Sequence, residues 1–239
     1  MNQKSDNFKK LQIEAYKGLA KDFDVKQKRE NRNHLNKIKA ISKFLDIKKG
    51  DKVLELGVGT GIHAKYLIGN NKNFYFYGVD LSPDMIKESR KKLKKLKNIK
   101  LLVMDGENLT FKDNYFDKVF ISGSLHHYDN PKKGINEILR VLKKEGKFCI
   151  MEPNYYFPTN FYAANTISEE KNMALMKKNN FKRWFKELEF KYYQLTNFAY
   201  TPPFPKFLIP IYDKLDKVIE KIPILNKFSI MVFVKGVKG

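Results

Sequence analysis

Cysteine is all but missing. One residue, Cys149, in a chain of 239 excludes a disulfide framework and a zinc cluster built from thiolates. No apolar run comes near the ~20 residues of a membrane-crossing helix. The opening Met-Asn-Gln-Lys-Ser-Asp lacks the apolar core of a secretion signal, so a cytoplasmic protein is expected. Acidic residues are scarce, 26 against 47 Lys and Arg, which leaves a net charge of +21. Arginine is scarcer still, at positions 29, 32, 90, 140 and 183 only. Arginine is the side chain suited to bidentate phosphate and base-edge contacts, so a surplus made of lysine argues only weakly for nucleic acid. Internal repeats and low-complexity linkers are absent too, which points to one domain of ordinary size.

The residues present are 42% hydrophobic, enough for a sizeable core. Phe8, Leu11, Ala15 and Leu19 recur at helical spacing, as do Leu35, Ile38, Ile41 and Leu45, so 7–47 reads as helical. Short apolar runs follow at 52–56, 74–79, 99–104, 118–122 and 147–151. Helical patterns separate them at about 62–69, 84–96 and 131–144. This alternation predicts an α/β fold whose parallel sheet is covered on both faces. Beyond Met151 the chain is aromatic and loop-like to about 180, then helical through Phe181–Leu188. Further strands are predicted at Tyr192–Tyr200 and Phe228–Val237. Three parts of a single domain result: a helical cover at 1–49, a core at 50–154, and late insertions with the last two strands at 155–239.

The densest signal is Val53-Leu54-Glu55-Leu56-Gly57-Val58-Gly59-Thr60-Gly61. A strand ends, glycines turn the chain, and a helix opens at Ile62. Glycine allows both the tight turn and a close approach of ligand to backbone, and the helix start offers unpaired N–H groups. The spacing G-x-G-x-G departs from the dinucleotide fingerprint G-x-G-x-x-G, and no phosphate-loop G-K-[ST] follows. A ligand without pyrophosphate is indicated. Two more strands end in acids, at Asp80 and at Asp105-Gly106-Glu107. Asp80 suits a ribose diol, and Asp105 suits an exocyclic amine. Each also has a bland reading, a helix-capping acid for Asp80 and a turn residue for Asp105.

In this order the segments resemble the class I S-adenosylmethionine-dependent methyltransferases, most closely the broad type-11 methyltransferase domain family. The resemblance runs from about Gly50 to Glu152 through Val53–Gly61, Tyr77–Ile86, Met104–Phe111, Phe116–His127 and Gly146–Asn154. It implies a Rossmann-like, seven-stranded, mostly parallel sheet with an antiparallel last strand, and S-adenosylmethionine (SAM) as cofactor. It further implies that Glu55, Gly57, Gly59 and Gly61 hold the methionine part, and that Asp80 holds the ribose. Leu81 and Met85 would lie beside the adenine, Asp105 and Gly106 at its amine, and Ser122 and Gly123 on the sulfonium side. Tyr16–Asp24 resembles a tyrosine-bearing entry helix over the cofactor.

His126 and His127 follow the fourth strand, where an acceptor would meet the methyl group. Either could act as general base, or support the loop. Glu152 is a further candidate, with the bland alternative of holding a neighbouring loop. Cys149 reads as inert core. No metal is expected. The acceptor side is rich in Tyr155, Tyr156, Phe157, Phe161 and Tyr162, which suits a small, apolar or lipid-like acceptor. Phe207–Ile222 is an amphipathic stripe that fits a lid, a dimer helix or a peripheral membrane contact. The alternatives are an RNA- or ribosome-associated methyltransferase drawing on the lysine surface, and a SAM-binding protein without catalysis. Residues 101–160 carry eight charges of each sign, so the surplus lies mostly away from the expected chemistry.

Overall fold

The computed structural model describes residues 3–18, 20, 31–70, 73–188, 190–198, 227 and 229–239. The amphipathic stripe Phe207–Ile222 lies outside them. Two helices come first, α1 (Gln3–Tyr16) and α2 (Asn31–Leu45). Strand and helix then alternate: β1 (Lys52–Leu56), α3 (Ile62–Asn70), β2 (Tyr75–Asp80), α4 (Pro83–Leu93), β3 (Ile99–Val103) and β4 (Phe116–Ser122). They continue with α5 (Pro131–Val141), β5 (Leu142–Pro153), α6 (Pro158–Thr166), α7 (Lys178–Lys186), β6 (Phe190–Phe198) and β7 (Met231–Lys238). Short 3-10 turns occupy Leu125–His127 and Ser168–Leu175.

The strands form one sheet in the order β3-β2-β1-β4-β5-β7-β6. β1 pairs in parallel with β2 and β4, β2 with β3, and β4 with β5. β7 runs antiparallel to both β5 and β6. The expected seven-stranded Rossmann-like sheet is therefore present, with its last strand reversed.

Successive side chains of each strand enter opposite layers. Leu54, Val119, Phe148 and Val234 join Ile135, Ile138, Phe181 and Phe185 in one buried cluster. Val53, Phe120, Cys149 and Phe233 join Ile38, Ile41, Leu67 and Ile86 in the other. Burying each such side chain contributes about 1.5–3 kcal/mol, and this two-sided burial is why the strands read as unbroken apolar runs. Cys149 is fully buried within its strand, as expected of an inert core thiol.

Several boundaries differ from expectation. α4 opens behind Ser82, whose Oγ accepts the Met85 N–H at 3.4 Å, with Pro83 in the first turn. It ends at Leu93 rather than near 96. α5 stops at Val141 rather than 144, because Leu142 is already extended at ψ 134°. β5 starts there, and Glu145 adopts φ +61° where the register against β4 shifts. Residues 158–175 are helical and 3-10 rather than loop-like. Pro158 at the first turn starts that helix. Among the described residues no helix is long and apolar enough to cross a membrane.

Candidate functional site

The sheet's carboxyl ends open into a cleft of about 770 Å³ counted to its mouth. Its floor comes from the turns after β1, β2, β3 and β4, and α1 forms one wall through Lys9, Gln12, Ile13 and Tyr16. Open α/β sheets bind ligands at this edge.

Asp80 organises the floor. Its Oδ2 accepts the Gly59 N–H at 2.9 Å and its Oδ1 accepts the Ser82 N–H at 2.9 Å. Burial raises its pKa, and those two N–H donors partly offset the rise. Gly59 and Gly123 both have left-handed φ, +53° and +67°, and a Cβ on either would meet nothing within 4 Å. Both line the cleft. Their missing side chains therefore leave backbone open to a ligand.

The other expected residues divide. Gly57, Leu81, Met85, Asp105 and Gly106 line the cleft. Asp105 Oδ1 accepts the Glu107 N–H at 2.9 Å, while its Oδ2 receives Lys9 Nζ at 2.7 Å. Gly61 is turned away, and a Cβ there would press on Leu93 Cδ1 at 2.7 Å and Ser89 Cβ at 3.3 Å. Its smallness lets α3 approach α4. Ser122 ends β4 opposite Met151 and stands off the cleft wall that Gly123 and Ser124 form. Glu55 is buried at 1% exposure, with Oε1 2.7 Å from His63 Nδ1. Burial, then the Asp80 charge, raises the Glu55 pKa, while burial pushes His63 down to about 3. Both are thereby drawn toward their neutral forms. The second oxygen of Glu55 is buried without a hydrogen-bond partner.

At the acceptor end, Glu152 is fully buried at the end of β5. Its Oε1 accepts the N–H groups of Ser124 at 3.0 Å and Leu125 at 2.9 Å, and its Oε2 lies 2.6 Å from His126 Nδ1. His126 Nε2 faces Glu170 Oε2 at 3.2 Å. Burial opposes a charge on His126, but Glu152 and Glu170 outweigh it and hold the pKa up to about 9. His127 goes the other way, down to about 3, through burial and then the neighbouring His126. Its Nε2 shares a 2.8 Å hydrogen bond with Tyr16 Oη. His127 and Tyr16 line the cleft, whereas His126 and Glu152 stand behind its wall.

The sequence reading missed Lys9, Gln12, Tyr128 and Glu170. Glu107, named there only as one of the acids ending β3, is 3% exposed and accepts the Asn130 N–H at 2.7 Å. Nothing in the local sequence marks Glu170.

Comparison with known proteins fits this geometry. A methyltransferase domain family model matches residues 54–150. The 2-methyl-6-phytyl-1,4-hydroquinone methyltransferase of Arabidopsis thaliana is 33% identical over 144 residues, covering 60% of this chain and 41% of that protein. A demethylmenaquinone methyltransferase of Corynebacterium kroppenstedtii is 37% identical over 114 residues, covering 48% and 47%. The chain thus spans less than half the length of these curated relatives. Among solved structures, a methyltransferase-like chain from Haloferax volcanii, in complex with the Trm112 methyltransferase activator, superposes with a TM-score of 0.67. It is 19% identical over 95% of this chain and 96% of that one, and so shows the fold alone. The residues that form most of β1 to β5, with the cleft at their ends, thus match a methyltransferase domain, on the Rossmann-like sheet of the class I SAM-dependent methyltransferases.

Proposed function

We propose that the chain methylates a small, lipid-like acceptor, using SAM. The observation that carries this reading is the cleft itself. Glycine backbone lies open at Gly59 and Gly123, Asp80 at the end of β2 holds the Gly59 N–H, and Tyr16 of α1 meets His127 in the wall. The residues fit the cofactor. Asp80 would accept from the ribose diol, and Leu81 and Met85 would flank the adenine. Asp105 would accept from the adenine amine. The Gly57 and Gly59 backbone would hold the amino-acid end, with Glu55 buried off the cleft lining and paired to His63.

Bound SAM supplies an activated methyl group on a good leaving group, so the protein's task is alignment and exclusion of water. α1 excludes water by closing over the cleft. Tyr16 and His127 position an acceptor hydroxyl and hold the proton exchanged with it at their shared hydrogen bond. Glu152 positions both histidines by fixing the 124–126 turn. The lipid-like class follows from the relatives, whose names specify a phytylated hydroquinone and a menaquinone precursor. Exposed Phe161 and Tyr162 on α6 add apolar surface, and Phe207–Ile222 suits contact with a membrane holding such an acceptor.

A transfer assay with tritiated SAM against prenylated hydroquinones, polar amines and RNA tests this. Label in the hydroquinone fraction is expected. SAM binding without transfer to any apolar acceptor would discard the acceptor class. Absence of SAM binding would discard the whole reading.

A further inference from the structure

Beside the cleft wall, three metal-ligating side chains converge. They are His126, His127 and Glu170, each offering one ligand atom within 4.8 Å of the others. His127 Nδ1 is buried, and Glu170 Oε2 is paired with His126 Nε2. The 3.2 Å between Glu170 Oε2 and His126 Nε2 lies close to the ~3.4 Å edge of a tetrahedron whose ligands stand about 2.1 Å from a central ion. Adjacent residues on a strand or helix seldom aim at one point. Here the 3-10 turn Leu125–His127 brings the two imidazoles to a centroid distance of 4.0 Å. Ser168–Leu175 delivers the carboxylate from the far side.

The outer atoms of both rings are already held. Glu152 Oε2 meets His126 Nδ1 at 2.6 Å and Tyr16 Oη meets His127 Nε2 at 2.8 Å. Histidines that bind metals are held in this way, with the far nitrogen bonded to a carboxylate or another polar group that fixes ring and tautomer. Two imidazoles and a carboxylate brought this close, with the far nitrogens already held, form a set that a metal ion can bridge.

We propose that His126, His127 and Glu170 bind a divalent first-row transition ion. Two imidazoles and one carboxylate favour zinc, iron(II) or manganese over magnesium or calcium, which take oxygen ligands. Three protein ligands leave a position for water or an acceptor oxygen, as open rather than closed sites do. Ligation at Nδ1 makes His127 Nε2–H the donor to Tyr16, and so fastens α1 to the 3-10 turn. The site was not anticipated from the sequence; it shares His127 with the proposed acceptor wall, and zinc binding tests it without methyl transfer.

Zinc chloride titrated calorimetrically into the chelator-stripped full chain tests it, with cobalt(II) absorption as a second readout. One ion per chain is expected, with a raised melting temperature and cobalt d–d bands. His127→Ala and Glu170→Gln should each weaken zinc binding by at least about tenfold. Tyr16→Phe should weaken it by roughly tenfold, the usual effect of losing an outer partner. His34→Ala, at a histidine outside the cluster, should leave it unchanged. Circular dichroism shows which variants are folded, and Glu170→Gln, at a partly exposed position, decides the matter if His127→Ala is not. Absence of stoichiometric zinc binding in the intact chain overturns the proposal. So does binding that survives both substitutions.

Discussion

Lys9 on α1 reaches the Asp105 carboxylate at the end of β3, Nζ to Oδ2 at 2.7 Å, and meets Glu107 Oε2 at 3.0 Å. The cover helix is thus tied to the side of the cleft assigned to adenine. Lys9 and Asp105 are both partly exposed, so the pair adds little to overall stability. Its effect should fall on the cover. Lys9→Ala is expected to speed cofactor release several-fold with an unchanged melting temperature, measured by stopped-flow displacement of S-adenosylhomocysteine. Equal release rates would separate α1 from cofactor retention.

Asp80→Ala removes the acceptor proposed for the ribose and the tether of Gly59. Cofactor affinity should fall by about 10–100-fold, the scale of one or two hydrogen bonds to a charged group, as read by calorimetry. Because burial raises the Asp80 pKa, affinity should begin to decline on acidification at a pH above the ordinary ~3.9 of an aspartate. The sign for folding is opposite. The folded state holds this proton more tightly, so Asp80 makes the fold less stable as pH rises through that window.

Gly59→Ala and Gly123→Ala should each reduce cofactor affinity at least tenfold, because the new methyl projects into the cleft. Left-handed φ adds about 1 kcal/mol of strain. Gly50→Ala controls for that strain. Gly50 has φ +85° and open space around it, but it lies outside the cleft, and its substitution should leave binding intact.

Gly61→Ala should behave differently, lowering stability by about 1–3 kcal/mol through its clash with Leu93. Leu93→Ala should be less damaging in that background than in the parent chain. Additive losses in the four-way cycle would contradict a direct contact.

Glu152→Gln should unfold the 124–126 turn, since one buried carboxylate serves three partners there. A loss of about 3 kcal/mol is expected for a broken buried pair, or roughly 10 °C in melting temperature for a chain of this size. Thermal denaturation followed at 222 nm reads it.

The sheet was legible because burial on both faces leaves strands as uninterrupted apolar runs. The floor of the cleft was legible because each of its parts lies at a strand end, where Gly59, Asp80 and Asp105 stand out against apolar neighbours. The acceptor end was less so. His126 and His127 were visible as residues, but not that their pKa values move in opposite directions. That split depends on Glu152 and Glu170, which reach the pair from distant segments. The helix at 158–166 was hidden by its weak amphipathicity, although Pro158 marked its start. Lys9 was one lysine among many until α1 folded over Asp105.

The sheet order bears on how the chain reaches its native state. β5 is complete at Pro153, but its outer neighbour is β7, which begins only at Met231. β6 is made earlier and must wait with a gap beside it. During synthesis, the apolar edge of β5 therefore stays unpaired while the long late segment emerges. Such an edge is a template for association with other chains. A ribosome stalled within 199–226 would release a nascent chain with its cofactor floor assembled and its sheet unsealed, a natural client for chaperones.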